Sequence, residues 1–207
     1  TIRKIKLEVS QMGIVESTYA ELKQQELKNN PYSCLHMADI DINPHQIEAF
    51  TFALSSLELG GAILADEVGL GKTIEAGLVI KYLLCSGKNK ILLIMPSNLR
   101  KQWQVELEEK FDIDSLIVDS SNWEDYLAKV KSKQAVIIVS YHFASKRKTE
   151  FRKIAWDFCV FDEAHRLRNV YKNGSKMANS LYELTKGIPK ILLTATPMQN
   201  TLLDIYG

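Results

Sequence analysis

Two unbroken apolar runs, Ile91-Leu-Leu-Ile-Met95 and Ala135-Val-Ile-Ile-Val139, limit this chain more than anything else in it. Neither alternates with polar residues, so a strand built from either must be covered on both faces. That is the situation of a parallel sheet held between two layers of helices. Shorter apolar stretches at Ala62–Ala65, Ser115–Val118, Phe158–Phe161 and Ile191–Thr194 read as further strands, with Ala135–Ser140 completing the second run. Helical patterns lie between them, at Thr73–Cys85, Asn98–Lys110, Trp123–Ser132 and Ser175–Lys186, and another, Gln46–Leu57, precedes the first strand. Strand–helix alternation predicts an α/β fold with helices on both faces of a parallel sheet. The first 40 residues differ. Ser17–Lys28 patterns as an amphipathic helix and Asn29-Asn30-Pro31 is a break, so residues 1–40 read as a partly helical extension.

Composition removes several classes of function. Hydrophobic residues make up 46% of the 207 and charged residues 25%, which excludes wholesale disorder. The net charge is +1, so nucleic-acid binding must come from a local patch and not from a global basic field. No apolar run approaches the roughly 20 residues needed to span a bilayer, so no membrane role is expected. Arg3, Lys4 and Lys6 have no apolar segment behind them, so no signal peptide is visible, and the chain begins at Thr1 without Met, as a piece of something longer would. Cys34, Cys85 and Cys159 are odd in number and lack C-x-x-C spacing, which argues against a disulfide scaffold or structural zinc; Cys85 and Cys159 read as small buried residues. His36, His45, His142 and His165 form no H-E-x-x-H pair.

The segment running from Gly60-Gly61 through Asp66-Glu67-Val68-Gly69-Leu70-Gly71-Lys72-Thr73 carries the clearest chemistry. A strand enters a glycine-bearing loop and a helix begins at Lys72-Thr73. Gly69 and Gly71 let backbone N–H groups close around phosphate oxygens, and the helix presents its positive end to the anion. Lys72 is placed to reach β- and γ-phosphates and the Thr73 hydroxyl to ligate Mg²⁺. The strict G-x-x-x-x-G-K-T pattern is not met, because position 66 is Asp.

Ninety residues beyond Lys72, Phe158-Cys-Val-Phe161 delivers Asp162 and Glu163 to a strand end, followed by Ala164-His165. Ligands bind at the carboxyl ends of strands in open α/β sheets. There Asp162 could hold Mg²⁺ through water, and Glu163 could orient or deprotonate an attacking water. Ile191-Leu-Leu-Thr194-Ala195-Thr196-Pro197 is another strand ending in hydroxyls, and Gln46, after Asn43-Pro44-His45, offers an amide suited to an adenine edge. Taken singly, the Thr-Pro turn and a surface Gln are ordinary features.

Jointly these blocks resemble the Swi/Snf branch of the superfamily-two helicase-like ATPases. The family's Asp-Glu-x-Gly-x-Gly-Lys-Thr matches Asp66–Thr73 and accounts for Asp66. The blocks Ile94-Met-Pro96-Ser97-Asn98-Leu99-Arg100-Lys101-Gln102-Trp103, Ile137-Ile-Val-Ser140-Tyr141, Asp162-Glu-Ala-His165 with Arg166–Asn169, and Leu193–Asn200 follow in the family's order over roughly residues 40–207. The phrase Ala65–Gly77 looks most like the bacterial subgroup that includes the RNA-polymerase-recycling ATPase.

The resemblance implies a RecA-like P-loop lobe over residues 41–207 that uses ATP and Mg²⁺ in a bacterial, cytoplasmic, nucleoid-associated protein. It implies nucleotide binding by Gln46, Asp66, Glu67, Gly69, Leu70, Gly71, Lys72 and Thr73, metal binding by Thr73 and Asp162, and catalysis by Lys72, Asp162 and Glu163. His165, Thr194 and Thr196 would couple hydrolysis to movement, while Pro96, Ser97, Ser140 and Tyr141 would touch the DNA backbone. Double-stranded DNA is the expected partner, with RNA polymerase or another DNA-bound protein as the remodelled target. A second lobe carrying arginine fingers would follow Gly207, and without it the rate should fall by roughly 10³–10⁵, leaving this lobe nearly inactive alone. The basic cluster Lys146-Arg147-Lys148 with Arg152-Lys153 could contact phosphates; a solvated helix face or loop is the more ordinary account of its charges. A strand-separating helicase and a nucleotide-dependent interaction module without motor activity are the alternative functions.

Overall fold

A computed structural model describes residue 30 and residues 42–65, 71–129, 135–167 and 176–195. The expected helix Ser17–Lys28 and the ends of two others, residues 130–132 and 175, lie outside the described residues. Six strands form one sheet: β1 Gly61–Leu64, β2 Lys90–Met95, β3 Leu116–Ile117, β4 Ala135–Ser140, β5 Phe158–Phe161 and β6 Lys190–Leu193. Their order is β1-β6-β5-β2-β4-β3 and every pairing is parallel. The two unbroken apolar runs are β2 and β4, both interior to the sheet. All five residues Ile91–Met95 are fully buried. At the edge, β1 alternates between partly buried and buried positions.

Strand geometry sorts these side chains into two cores, because successive residues point to opposite faces. Ile91, Leu93 and Met95 of β2 join Val136 and Ile138 of β4 and Phe158 and Val160 of β5 on one face. Leu92, Ile94, Ile137, Val139, Cys159 and Phe161 form the other. The first face is covered by α1 Pro44–Ser56, α2 Lys72–Cys85 and α3 Arg100–Phe111. The second is covered by α4 Trp123–Lys129, α5 Tyr141–Lys146, α6 Lys148–Phe151 and α7 Lys176–Thr185. Each fully buried Leu, Ile or Phe contributes about 1.5–3 kcal/mol, so both faces are firmly held.

Local sequence explains the helix ends. Asn43 caps α1, Pro44 occupies its first turn, and the Asn43 N–H donates to Gln46 Oε1 at 3.0 Å. Helix α3 starts at Arg100 and not Asn98, because Pro96–Leu99 form a turn closed by Leu99 N–H to Pro96 O at 3.1 Å. Its buried stripe is Trp103, Leu107 and Phe111, one residue every four. Asp112 ends it at φ +51, with Ile113 N–H donating to Leu107 O at 3.0 Å and Lys81 Nζ to Phe111 O at 2.6 Å. Two α-helices were not expected. Helices α5 and α6 are six and four residues long, too short for a periodic pattern. Cys159 is buried as expected, whereas Cys85, near the end of α2, is only partly so. Among the described residues no helix is long and apolar enough to cross a membrane.

Candidate active site

Because every strand is parallel, all six carboxyl ends lie along one edge of the sheet. From β1 the chain passes through residues 66–70, which lie outside the described residues, to Gly71 and α2. From β5 it passes to Asp162, and from β6 to Thr194. Strand β6 stands between the other two, which sets the ends of β1 and β5 roughly 9–10 Å apart, or two strand spacings. The expected site residues Asp66, Glu67, Gly69, Leu70 and Thr196 are not among those described.

A cleft of about 390 Å³ opens at this edge. Gly71, Lys72 and Thr73 line it from the start of α2, Gln102 and Trp103 from α3, and Asp162 and Glu163 from the end of β5. The structure thus brings together two motifs ninety residues apart. Gly71 caps α2 at φ +97, a conformation in which L side chains are strained. A Cβ there would also lie 2.5 Å from Gln46 Nε2, so the buried Gln46 amide rests directly against the loop end.

Asp162 is held from four directions. Its main-chain N–H donates to Ile94 O at 3.0 Å, and its own carbonyl accepts from the Tyr141 hydroxyl at 2.7 Å. Carboxylate Oδ2 accepts from the Trp103 indole Nε1 at 2.8 Å, and Oδ1 from the Glu163 N–H at 2.8 Å. Burial pushes the Asp162 carboxyl above its ordinary value, and the nearby Glu163 charge adds to this. The two N–H bonds and the Lys72 ammonium oppose the rise. A carboxylate of this kind, desolvated yet provided with donors and a cation, is primed to gain from a divalent ion.

Glu163 sits at φ +55, one of two described non-glycine residues in the left-handed region. That conformation costs about 1–2 kcal/mol for an L residue, and strain of this sort gathers at functional sites. The Glu163 N–H bond to Asp162 offsets part of it. His165 Nδ1 lies 3.0 Å from Glu163 Oε2, without the angles of a hydrogen bond. Thr194 is buried where β6 leaves the sheet, and its N–H donates to Leu64 O at 3.1 Å, tying it to the end of β1.

The residues fit a magnesium nucleotide. No cluster of three or more His, Cys, Asp or Glu is gathered among the described residues. Mg²⁺, however, is ordinarily held by one or two side-chain oxygens together with substrate phosphates and water, not by an all-protein cage. Thr73 and Asp162, which line the same cleft, could supply that number, and the start of α2 turns its positive end toward it.

The four expected DNA contacts separate. Ser97 is exposed, while Pro96 and Ser140 are buried; Ser140 caps α5, its hydroxyl accepting from Phe143 N–H at 3.2 Å. Tyr141 departs from expectation. It is 2% exposed, its ring packs in the second core beside Phe161, and its hydroxyl donates to the Asp162 main-chain carbonyl. Burial also pushes that phenol upward, keeping it a donor. In the basic cluster, Arg147 pairs with Glu150 at 2.9 Å and lies over the Trp123 ring, and Arg152 meets Glu183 at 3.8 Å. Sequence reasoning missed the bond from Trp103 to Asp162, although Gln102-Trp103 stood within a recognised block.

Comparison with known proteins agrees with this architecture. The SNF2-related domain matches residues 45–207, and the chain belongs to that family. It is 40% identical over 172 residues to YqhH of Bacillus subtilis (strain 168), described as an uncharacterized ATP-dependent helicase, covering 79% of this chain and 28% of that protein. It is 34% identical over 184 residues to the RNA polymerase-associated protein RapA of Yersinia enterocolitica, covering 85% of this chain and 19% of RapA. The chain therefore spans less than a third of the length of these relatives. The Sulfolobus solfataricus SWI2/SNF2 ATPase core, solved in complex with dsDNA, superposes with a TM-score of 0.67 at 25% identity, over 82% of this chain and 35% of that one. The Swi/Snf resemblance and the RecA-like fold are both borne out.

Proposed function

We propose that residues 41–207 form the first of two RecA-like lobes of a DNA-dependent ATPase that moves along double-stranded DNA and remodels the proteins bound to it, with residues 1–40 as an extension. One observation carries this reading: the Lys72-Thr73 helix start and the Asp162-Glu163 pair face a single cleft. Lys72 binds the β- and γ-phosphates, and Gln46, fixed by its bond from Asn43, selects adenine beside Gly71. Thr73 and Asp162 hold Mg²⁺, which neutralises charge on the phosphates. Glu163 orients the attacking water and accepts its proton at a carboxylate oxygen. His165, against Glu163, and Thr194, between β1 and β5, pass the state of the site to the strands, with Thr196 as the further coupling residue. Asp66, Glu67, Gly69 and Leu70 complete the phosphate loop.

Duplex DNA is the partner because the Sulfolobus core was solved with it, and Ser97 is the contact that exposure favours. RNA polymerase or another DNA-bound protein is the remodelled target, by likeness to RapA. The protein acts in the cytoplasm, at the nucleoid. This lobe alone hydrolyses ATP hardly at all, since stabilising groups from a second lobe are worth roughly 10³–10⁵ in rate. The description of YqhH as a helicase favours strand separation as a second reading, which an unwinding assay on the longer protein tests.

Calorimetric titration of Mg·ADP and Mg·ATP into the chain tests the site. Binding should vanish in Lys72→Ala and lose its preference for adenine over guanine in Gln46→Ala. Binding indifferent to Lys72 would overturn the phosphate-loop assignment. Duplex-stimulated hydrolysis by the longer protein, abolished in Glu163→Gln, tests the activity.

A further inference from the structure

We infer that Trp103 is a positioning residue for the metal carboxylate: its indole N–H fixes the orientation of Asp162 so that the remaining lone pairs of the carboxylate face the cleft. The inference rests on the proposed nucleotide site and deepens it. Trp103 is 2% exposed, and its Nε1 donates to Asp162 Oδ2 at 2.8 Å across 59 residues of sequence. A buried indole needs an acceptor, yet a backbone carbonyl would satisfy it equally well, as Phe151 O does for Trp156 Nε1 at 2.9 Å. Trp103 instead uses a buried carboxylate at the cleft wall.

Geometry shows what the bond does. A carboxylate at the end of β5 can rotate about its Cβ–Cγ bond. One donor, the adjacent Glu163 N–H, restrains Oδ1 alone. The second donor comes from a different element, α3, which is packed on the sheet through Leu107 and Phe111. Two donors from two elements leave the carboxylate plane no freedom. Each oxygen keeps a lone pair, and the cleft that also holds Lys72 and Thr73 is the space they can address. Partners that orient a metal ligand in this way typically alter metal affinity by about 10–100-fold when removed.

The test deletes the donor and keeps the shape. Trp103 is replaced by 3-benzothienylalanine, whose sulfur stands where the indole has N–H, and Trp103→Phe serves as a second variant. Binding of a fluorescent ADP analogue to the chain is followed while Mg²⁺ is varied, with EDTA as the metal-free limit. The expected result is a Mg²⁺ midpoint raised about tenfold or more, with the EDTA affinity unchanged within a factor of two. A structural role alone would lower both affinities together. An unmoved midpoint in a folded benzothienyl variant overturns this inference alone; a native chain that binds no nucleotide overturns the proposed function and this inference with it. An independent readout needs no nucleotide. The Trp103 indole ¹H–¹⁵N resonance, assigned by its absence in Trp103→Phe, should move in Asp162→Asn and shift on addition of Mg²⁺ with ADP. A resonance insensitive to both overturns the inference.

Discussion

Gln46 Nε2 would lie 2.5 Å from any Cβ placed on Gly71, so the third residue of α1 and the residue that caps α2 occupy adjoining space with no room between them. The Gln46 amide cannot easily step aside, because its oxygen is held by the Asn43 N–H at 3.0 Å. Gly71→Ala therefore meets two penalties at once. The φ of +97 costs about 1–2 kcal/mol for an L residue, and the methyl group displaces the amide. The variant should unfold earlier by at least that amount in a denaturant titration and should lose nucleotide binding altogether. Normal binding with normal stability would show that the loop end is free to move.

Gly77, in the middle of α2, gives the opposite of the usual expectation. Glycine to alanine within a helix ordinarily stabilises by about 1 kcal/mol. Here the added methyl would overlap the Phe111 ring of α3, and overpacking costs about 1–3 kcal/mol. The net result is destabilisation of up to about 2 kcal/mol, measured as a lowered urea midpoint. Phe111→Leu in the same chain should return part of the loss, since it clears the space.

Ser97 and Tyr141 should respond to different assays. Ser97→Glu puts a negative charge on an exposed position at the carboxyl end of β2 and should weaken duplex-DNA binding several-fold, with the effect largest at low salt. Tyr141→Phe removes a donor from a buried carbonyl and should cost about 1–3 kcal/mol of stability with DNA affinity unchanged. Fluorescence anisotropy with labelled duplex, beside thermal melts, distinguishes the two. The reverse pattern would mean that Tyr141 leaves its buried position when DNA binds.

Lys190, at the start of β6, is partly buried, and desolvation holds its ammonium below the ordinary value of 10.5. The unfolded chain thus binds this proton more tightly than the folded one. The associated stability is present above pH 10.5 and is lost as pH falls through the lower folded value. At neutral pH the charged side chain is a burden. Lys190→Met should melt at a higher temperature than the native chain at pH 7, with the difference shrinking by pH 10. A difference independent of pH would assign the gain to packing.

How much of this could be read beforehand varied by element. Strands β2 and β4 announced themselves because interior strands of a parallel sheet have no polar face to interrupt the run. Lys72-Thr73 and Asp162-Glu163 were legible because each polar pair stands at the end or the beginning of an element, directly beside an apolar strand or a glycine-bearing loop. The sheet order was not legible: nothing in Phe158–Phe161 says that it pairs with β2 on one side and β6 on the other. The short helices α5 and α6 were hidden by length, and the basic residues in and beside them suggested a patch where the structure shows Arg147 and Arg152, which flank α6, paired with carboxylates. The bond from Trp103 to Asp162 joins α3 to β5, and local pattern carries no information about such a meeting.

The position of β6 bears on how the lobe is born. Gly61 of β1 pairs with Lys190 of β6, and among the described strands β6 is the sole partner of β1. During synthesis β1 leaves the ribosome first of the six and β6 last. Through most of that interval the strand bearing the phosphate loop has only α1 and α2 to rest on, while β2 to β5 can already assemble. Non-local pairing of this kind is slow. The proposed nucleotide cleft is then the last part of the lobe to mature, and a nascent chain stalled before residue 190 would present a sheet of four strands with β1 still unpaired.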